Sequence, residues 1–63
     1  MNQGTKLIPY KNYIGNILLD FDSKIYYGYI QDIDVEIIYE GQTLEDLQED
    51  FESCVDEYVR MLG

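Results

Sequence analysis

Residues 13–21 have two distinct sides when the chain is extended, which predicts a β-strand. One side carries Tyr13, Gly15, Ile17, Leu19 and Phe21, and the other carries Ile14, Asn16, Leu18 and Asp20. The short polar residues 22–24 favour a turn, and residues 25–30 are rich in isoleucine and tyrosine, which favour strands. The pattern therefore predicts an antiparallel β-hairpin over residues 13–30.

A third strand is predicted over residues 35–40, after residues 31–34 interrupt the alternation. Its two sides consist of Val35, Ile37 and Tyr39 opposite Glu36, Ile38 and Glu40. Three consecutive antiparallel strands form a meander. A sheet of this kind buries one face against another element and leaves the second face to solvent or to a partner.

A long amphipathic helix is predicted over residues 44–62. Thr43 is a favourable N-cap, and Asp46 stands three residues later, where a capping box has its acid. The acids crowd the first half of the helix and Arg60 is in its last turn, as the helix dipole prefers. Steps of three and four place one apolar stripe on the helix, flanked by Cys54 and Val59 and formed by Leu44, Leu47, Phe51, Val55, Tyr58 and Leu62.

The predicted fold class is α+β, a three-stranded antiparallel meander followed by one C-terminal helix packed on one face. Residues 1–9 are expected to form a flexible lead-in, and residues 10–63 a single domain. One helix covers only one sheet face, although apolar and tyrosine side chains occur on both. Tyrosine is enriched at interfaces, so the second face is expected to bind a partner.

The composition narrows the kinds of partner. Thirteen acidic and four basic residues give a formal net charge of −9, which disfavours direct binding to nucleic acid or to an acidic membrane surface. A basic protein is the natural complement, although acidity also serves solubility alone. One cysteine and no histidine exclude an internal disulfide and disfavour zinc, so no metal or cofactor is expected. No apolar run approaches the roughly 20 residues that span a bilayer, and we expect a soluble, cytoplasmic protein.

Residues 10–62 resemble the N-terminal domain of HicB-family antitoxins. The resemblance rests on Tyr-x-x-Tyr-Ile-Gly at 10–15, Tyr-Tyr-Gly at 26–28, Asp-Ile at 32–33, Glu-Gly at 40–41 and the helix end FESCVDEYV at 51–59. It implies a degraded RNase H-like fold of order βββαβ without nuclease activity. It also implies a partner, a small basic mRNA-cleaving toxin of the HicA type.

Family members usually continue into a fourth strand and a DNA-binding domain, which this 63-residue chain is expected to lack. The first predicted strand would then be an open sheet edge. We therefore expect a homo-oligomer, formed by edge pairing or by packing of the tyrosine-bearing face.

Catalysis is not expected. RNase H chemistry needs clustered carboxylates around two metal ions, and Asp20, Asp50 and Asp56 are the acids nearest to that pattern. Asp20 precedes a turn, however, and the two helical acids fit a solvated helix face. Cys54 flanks the apolar stripe and is interpreted as a packed thiol.

The function implied by the resemblance is inhibition by binding, in which the acidic chain masks the RNA-binding surface of the toxin. The residues expected to contact the toxin are Asp32, Asp34, Glu36, Glu40, Glu49, Glu52, Asp56 and Glu57, with Tyr27, Tyr29 and Tyr39 adding contact area. Two alternatives remain open at this point. One is an orphan dimerisation or structural module without a toxin, and the other is a nucleic-acid mimic directed at a different basic target.

Overall fold

The computed structural model describes residues 6–63, which form one antiparallel sheet and one helix. The elements are β1 (Lys6–Tyr10), β2 (Tyr13–Asp20), β3 (Ile25–Tyr29), β4 (Ile38–Gly41) and α1 (Leu44–Leu62). The strands are consecutive neighbours in the sheet, in the order β1-β2-β3-β4. The predicted α+β class, the hairpin and the C-terminal helix are confirmed, but the sheet has four strands where three were predicted.

The additional strand is β1, which pairs with β2 along its whole length. Residues 6–9 are therefore not a flexible lead-in, while residues 1–5 of that prediction lie outside the described part of the chain. A two-residue turn connects the strands, and Lys11 in this turn has a φ of 55°. Ile8 packs on the core from β1, whereas Pro9 is exposed and has no backbone N–H, which suits an edge strand. The edge of β2 that was predicted to be open is thus occupied.

The third predicted strand is shorter than expected and shifted along the chain. Only Ile38–Gly41 pairs with β3, and residues 31–37 form a loop in which Asp32 has a φ of 59°. The loop remains attached because its Ile33 and Ile37 side chains pack on the core. The alternation of apolar and acidic residues over 35–37 therefore does not mark a strand. It belongs to a loop that is held to the core by its apolar side chains.

Helix α1 has the predicted boundaries and the predicted cap. The Thr43 hydroxyl accepts a hydrogen bond from the Asp46 N–H at 3.0 Å. Leu47, Phe51 and Val55 are completely buried against the sheet. The ends of the predicted stripe differ, because Leu44 and Leu62 are 51% and 64% exposed, so the buried part of the stripe covers the middle of the helix.

Tyr39 is the centre of the core and interrupts the sheet. Its ring packs on Phe51 with the centroids 4.9 Å apart, and its hydroxyl donates to the Asn16 carbonyl at 2.8 Å. Strands β2 and β3 pair regularly at residues 18–20 of β2 and again at the isolated Gly15–Ile30 bridge. In the gap between these two places, the side-chain oxygen of Asn16 accepts a hydrogen bond from the Tyr29 N–H at 2.8 Å and replaces a backbone bond of the sheet. Gly15 leaves the space that the Tyr39 hydroxyl occupies.

Candidate interaction surfaces

The helix divides the surface into two chemically different sides. Strand residues that pack on the core point towards α1, so the alternate residues of the same strands form the face that the helix leaves uncovered. We call this the uncovered sheet face, and define it by Leu7, Pro9, Ile14, Leu18, Ile25, Tyr27, Tyr29 and Ile38, with Asp20 and Glu40 at one end. The opposite side, with the outer surface of α1, carries most of the acids.

Large apolar side chains are exposed on the uncovered sheet face. Leu7 is 61% exposed, Ile38 57%, Ile14 44% and Tyr29 40%. Asp20 and Glu40 border a shallow depression of about 230 Å³ whose floor includes Tyr27. Contiguous apolar surface of this kind is typical of an interaction site.

Most of the acids that were predicted from the sequence to bind a toxin are exposed to solvent. Glu52 and Asp56 are half-buried, and the exposed ones are Asp32, Asp34, Glu36, Glu40, Glu49 and Glu57. Within residues 6–63 one ion pair is found, between Lys11 and Asp56. The acidic side of this part of the chain therefore retains a strong negative field.

Asp56 has a structural role that the sequence did not indicate. Its carboxylate accepts from Lys11 Nζ at 2.7 Å and from the Tyr10 hydroxyl at 3.3 Å, which attaches α1 to the β1–β2 turn. The hydrogen bond from Lys11 lowers the pKa of Asp56, and the same bond raises the pKa of Lys11. Burial and then the Asp56 charge raise the pKa of Tyr10. Partner binding through Asp56 would have to compete with these contacts.

The predicted contact residues do not form one surface. Tyr27 and Tyr29 lie on the uncovered sheet face, as does the Glu40 side chain, which is directly opposite Tyr27 in the β3–β4 pair. The helical acids lie on the other side of the molecule. Asp32, Asp34 and Glu36 are in the β3–β4 loop, which starts at the sheet end where the Gln31 N–H donates to the Ile14 carbonyl at 2.8 Å.

The prediction of Tyr39 as a contact residue is wrong. Tyr39 is 1% exposed because it points from β4 towards α1, whereas its neighbours Ile38 and Glu40 point away. Alternation places it on the apolar side of the strand, and that signal alone would have assigned it to the core.

Burial of Tyr39 predicts a fall in stability at alkaline pH. Burial raises its pKa from 10.0 to about 12. Because the unfolded chain releases this proton more readily, the stabilisation is complete below pH 10 and is lost as the pH rises towards 12. Urea denaturation should show that the free energy of unfolding declines between pH 9 and pH 12. This decline should be smaller in Tyr39→Phe and unchanged in the control Tyr29→Phe. An equal decline in both variants would contradict this assignment.

The acids considered for metal chemistry have other hydrogen-bond partners in the described residues. Of the three acids weighed for metal chemistry, Asp50 accepts from the Glu40 N–H at 3.0 Å, Asp56 accepts from Lys11 Nζ at 2.7 Å and Asp20 accepts from the Asp22 N–H at 3.0 Å. In residues 6–63 no group of three or more acidic, cysteine or histidine side chains is placed to hold a metal ion. Burial, followed by the charges of Asp50 and Glu57, raises the pKa of the half-buried Cys54, which disfavours the thiolate.

Two further findings bear on function. No helix within residues 6–63 combines the length and the apolar character needed to cross a membrane. The chain matches no protein-family model, no curated protein and no solved structure at a significant level of similarity.

Proposed function

We propose that this chain is a non-enzymatic inhibitory domain that binds a small basic RNA-cleaving protein, of the type that the HicB resemblance implies. The acids of the β3–β4 loop and of the C-terminal half of α1 would cover the surface that the partner uses for RNA. One observation carries the proposal: thirteen carboxylates and a net charge of −9 are accompanied by a single ion pair in residues 6–63.

The chain and RNA would compete for the same positive charges on the partner. A protein that cleaves RNA presents lysine and arginine to phosphates, and a surface of carboxylates binds those side chains while excluding the substrate. The loop acids Asp32, Asp34 and Glu36 are all exposed. They lie at the sheet end where Asp56 fixes the helix to Lys11, so the loop and the C-terminal half of α1 are close to the same end.

Binding should depend on salt and on the loop acids. The test measures association of the purified chain with a small basic RNA-cleaving protein encoded beside it, at low and high salt. We expect the association rate to fall by about tenfold or more from low to high salt, because steering between opposite charges is screened. Asp32→Asn, Asp34→Asn and Glu36→Gln together should weaken binding by about tenfold.

A control variant separates local contacts from overall charge. Asp20→Asn, Asp22→Asn and Glu45→Gln together remove the same number of charges around the β2–β3 turn and the start of α1. This control is expected to reduce affinity by less than about threefold. Salt-insensitive binding, or equal loss in both variants, would contradict charge-led docking by the loop. Absence of binding and of growth rescue would leave the alternative, a dimerisation module without a toxin.

A further inference from the structure

We propose that the uncovered sheet face binds the same face of a second copy, which gives a symmetric dimer of two stacked sheets with the acidic sides outward. This inference is independent of the proposed function, since the residues that define the uncovered sheet face do not include the loop acids. It rests on the charge, the area and the strand edges of the described residues.

Charge selects this face for self-association. Each copy carries a formal charge of −9, so contact between two helical sides would bring many carboxylates together. The uncovered sheet face has only Asp20 and Glu40, both at the end near the β2–β3 turn. A two-fold axis that lies between the two sheets and runs perpendicular to the strands would place the acidic end of one copy over the Pro9 and Ile14 end of the other. The Asp20 and Glu40 carboxylates of the two copies are then far from each other.

The area is sufficient for a weak dimer. Four strands spaced about 4.8 Å apart, with side chains along roughly 20 Å of strand, present about 400 Å² per copy. Two copies would bury about 800 Å² in total, which is in the range of weak and transient interfaces. Four side chains on this face are between 40% and 61% exposed, Leu7, Ile14, Tyr29 and Ile38, so apolar groups supply much of the area. We therefore expect dissociation in the micromolar range.

The sheet edges disfavour the other mode of association, which is edge-to-edge pairing. The Glu40 N–H on the outer strand β4 already donates to the Asp50 carboxylate at 3.0 Å. At the opposite edge, β1 contains Pro9, which has no N–H to donate to a neighbouring strand. Stacking of faces needs no free backbone groups, so it is compatible with both edges.

Sedimentation of the whole chain from about 1 to 500 µM tests the dimer, a range that brackets the expected dissociation. We expect a monomer–dimer equilibrium that shifts towards the dimer at high salt, because screening reduces repulsion between the two acidic copies. The salt dependence of toxin binding has the opposite sign, so failure of one proposal is distinguishable from failure of the other. A monomeric mass at all concentrations, even at high salt, would overturn the dimer.

Matched lysine substitutions locate the interface. Ile38→Lys places a charge in the face, and Met61→Lys makes the same charge change at a side chain that is 76% exposed at the end of α1. The first should weaken the dimer by at least about tenfold and the second by less than about twofold. Circular dichroism verifies folding, and Leu7→Lys on β1 repeats the test if Ile38→Lys unfolds. Dimers that persist in folded Ile38→Lys and Leu7→Lys would exclude this face.

Discussion

Phe51→Ala is expected to leave most of the chain unfolded at 25 °C. Phe51 is completely buried, and its ring packs on Tyr39 and, edge to face at 6.4 Å, on Tyr10. Truncation of a buried phenylalanine to alanine costs about 3–5 kcal/mol. The single core of a domain this small supplies only about 3–5 kcal/mol of stability, so one substitution removes most of it. Far-UV circular dichroism with urea denaturation measures the loss.

Phe21 offers the same substitution without the burial. It is the other of the two phenylalanines in the chain, and it is 80% exposed at the start of the β2–β3 turn. Phe21→Ala should change the free energy of unfolding by less than about 0.5 kcal/mol. Similar losses in the two variants, or a folded Phe51→Ala with an unchanged urea midpoint, would show that the core is not centred on Phe51.

Gly15→Ala is expected to cost about 3 kcal/mol, the second large effect, because it adds a methyl group to a filled space. An added Cβ would overlap the Tyr39 hydroxyl and lie 2.8 Å from Cε1 of Phe51. The Tyr39 ring cannot withdraw without breaking the hydrogen bond from its hydroxyl to the Asn16 carbonyl. Urea denaturation measures the cost relative to the unmodified chain.

A double-mutant cycle tests the cause of that loss. Tyr39→Phe removes the hydroxyl, and on its own should cost about 1–2 kcal/mol because the Asn16 carbonyl loses its buried donor. In the Tyr39→Phe background, Gly15→Ala should cost about 1 kcal/mol less than in the original chain. Strictly additive losses would mean that the hydroxyl is not what the added methyl group meets.

The helix and the hairpin were predictable because their signals are local. Thr43 as N-cap and the periodic apolar stripe define α1 within the chain segment itself, and alternation defines β2 and β3 in the same way. Strand β1 was missed because Pro9 and the short length of the segment weaken its signal. The segment is a strand because it pairs with β2, and this pairing cannot be read from the sequence of the segment alone.

The candidate surfaces were predictable in composition but not in arrangement. Exposure of the loop acids follows from their charge. Whether a tyrosine contributes to a core or to a surface depends on which sheet face the helix covers, and this separates Tyr39 from Tyr27 although both lie in strands. The contact of Asp56 with Lys11 joins positions 45 residues apart, beyond the reach of any local pattern.

That long-range contact has a consequence for the order of events during synthesis. The β1–β2 hairpin is made before the helix, and the carboxylate that holds the hairpin to the helix lies 45 residues after Lys11. Phe51 and Val55, which complete the core, are also in the helix. A contact between positions so far apart cannot stabilise the fold until the helix has been synthesised. The hairpin therefore emerges from the ribosome with its apolar side unprotected, and the domain acquires its stability only when α1 follows.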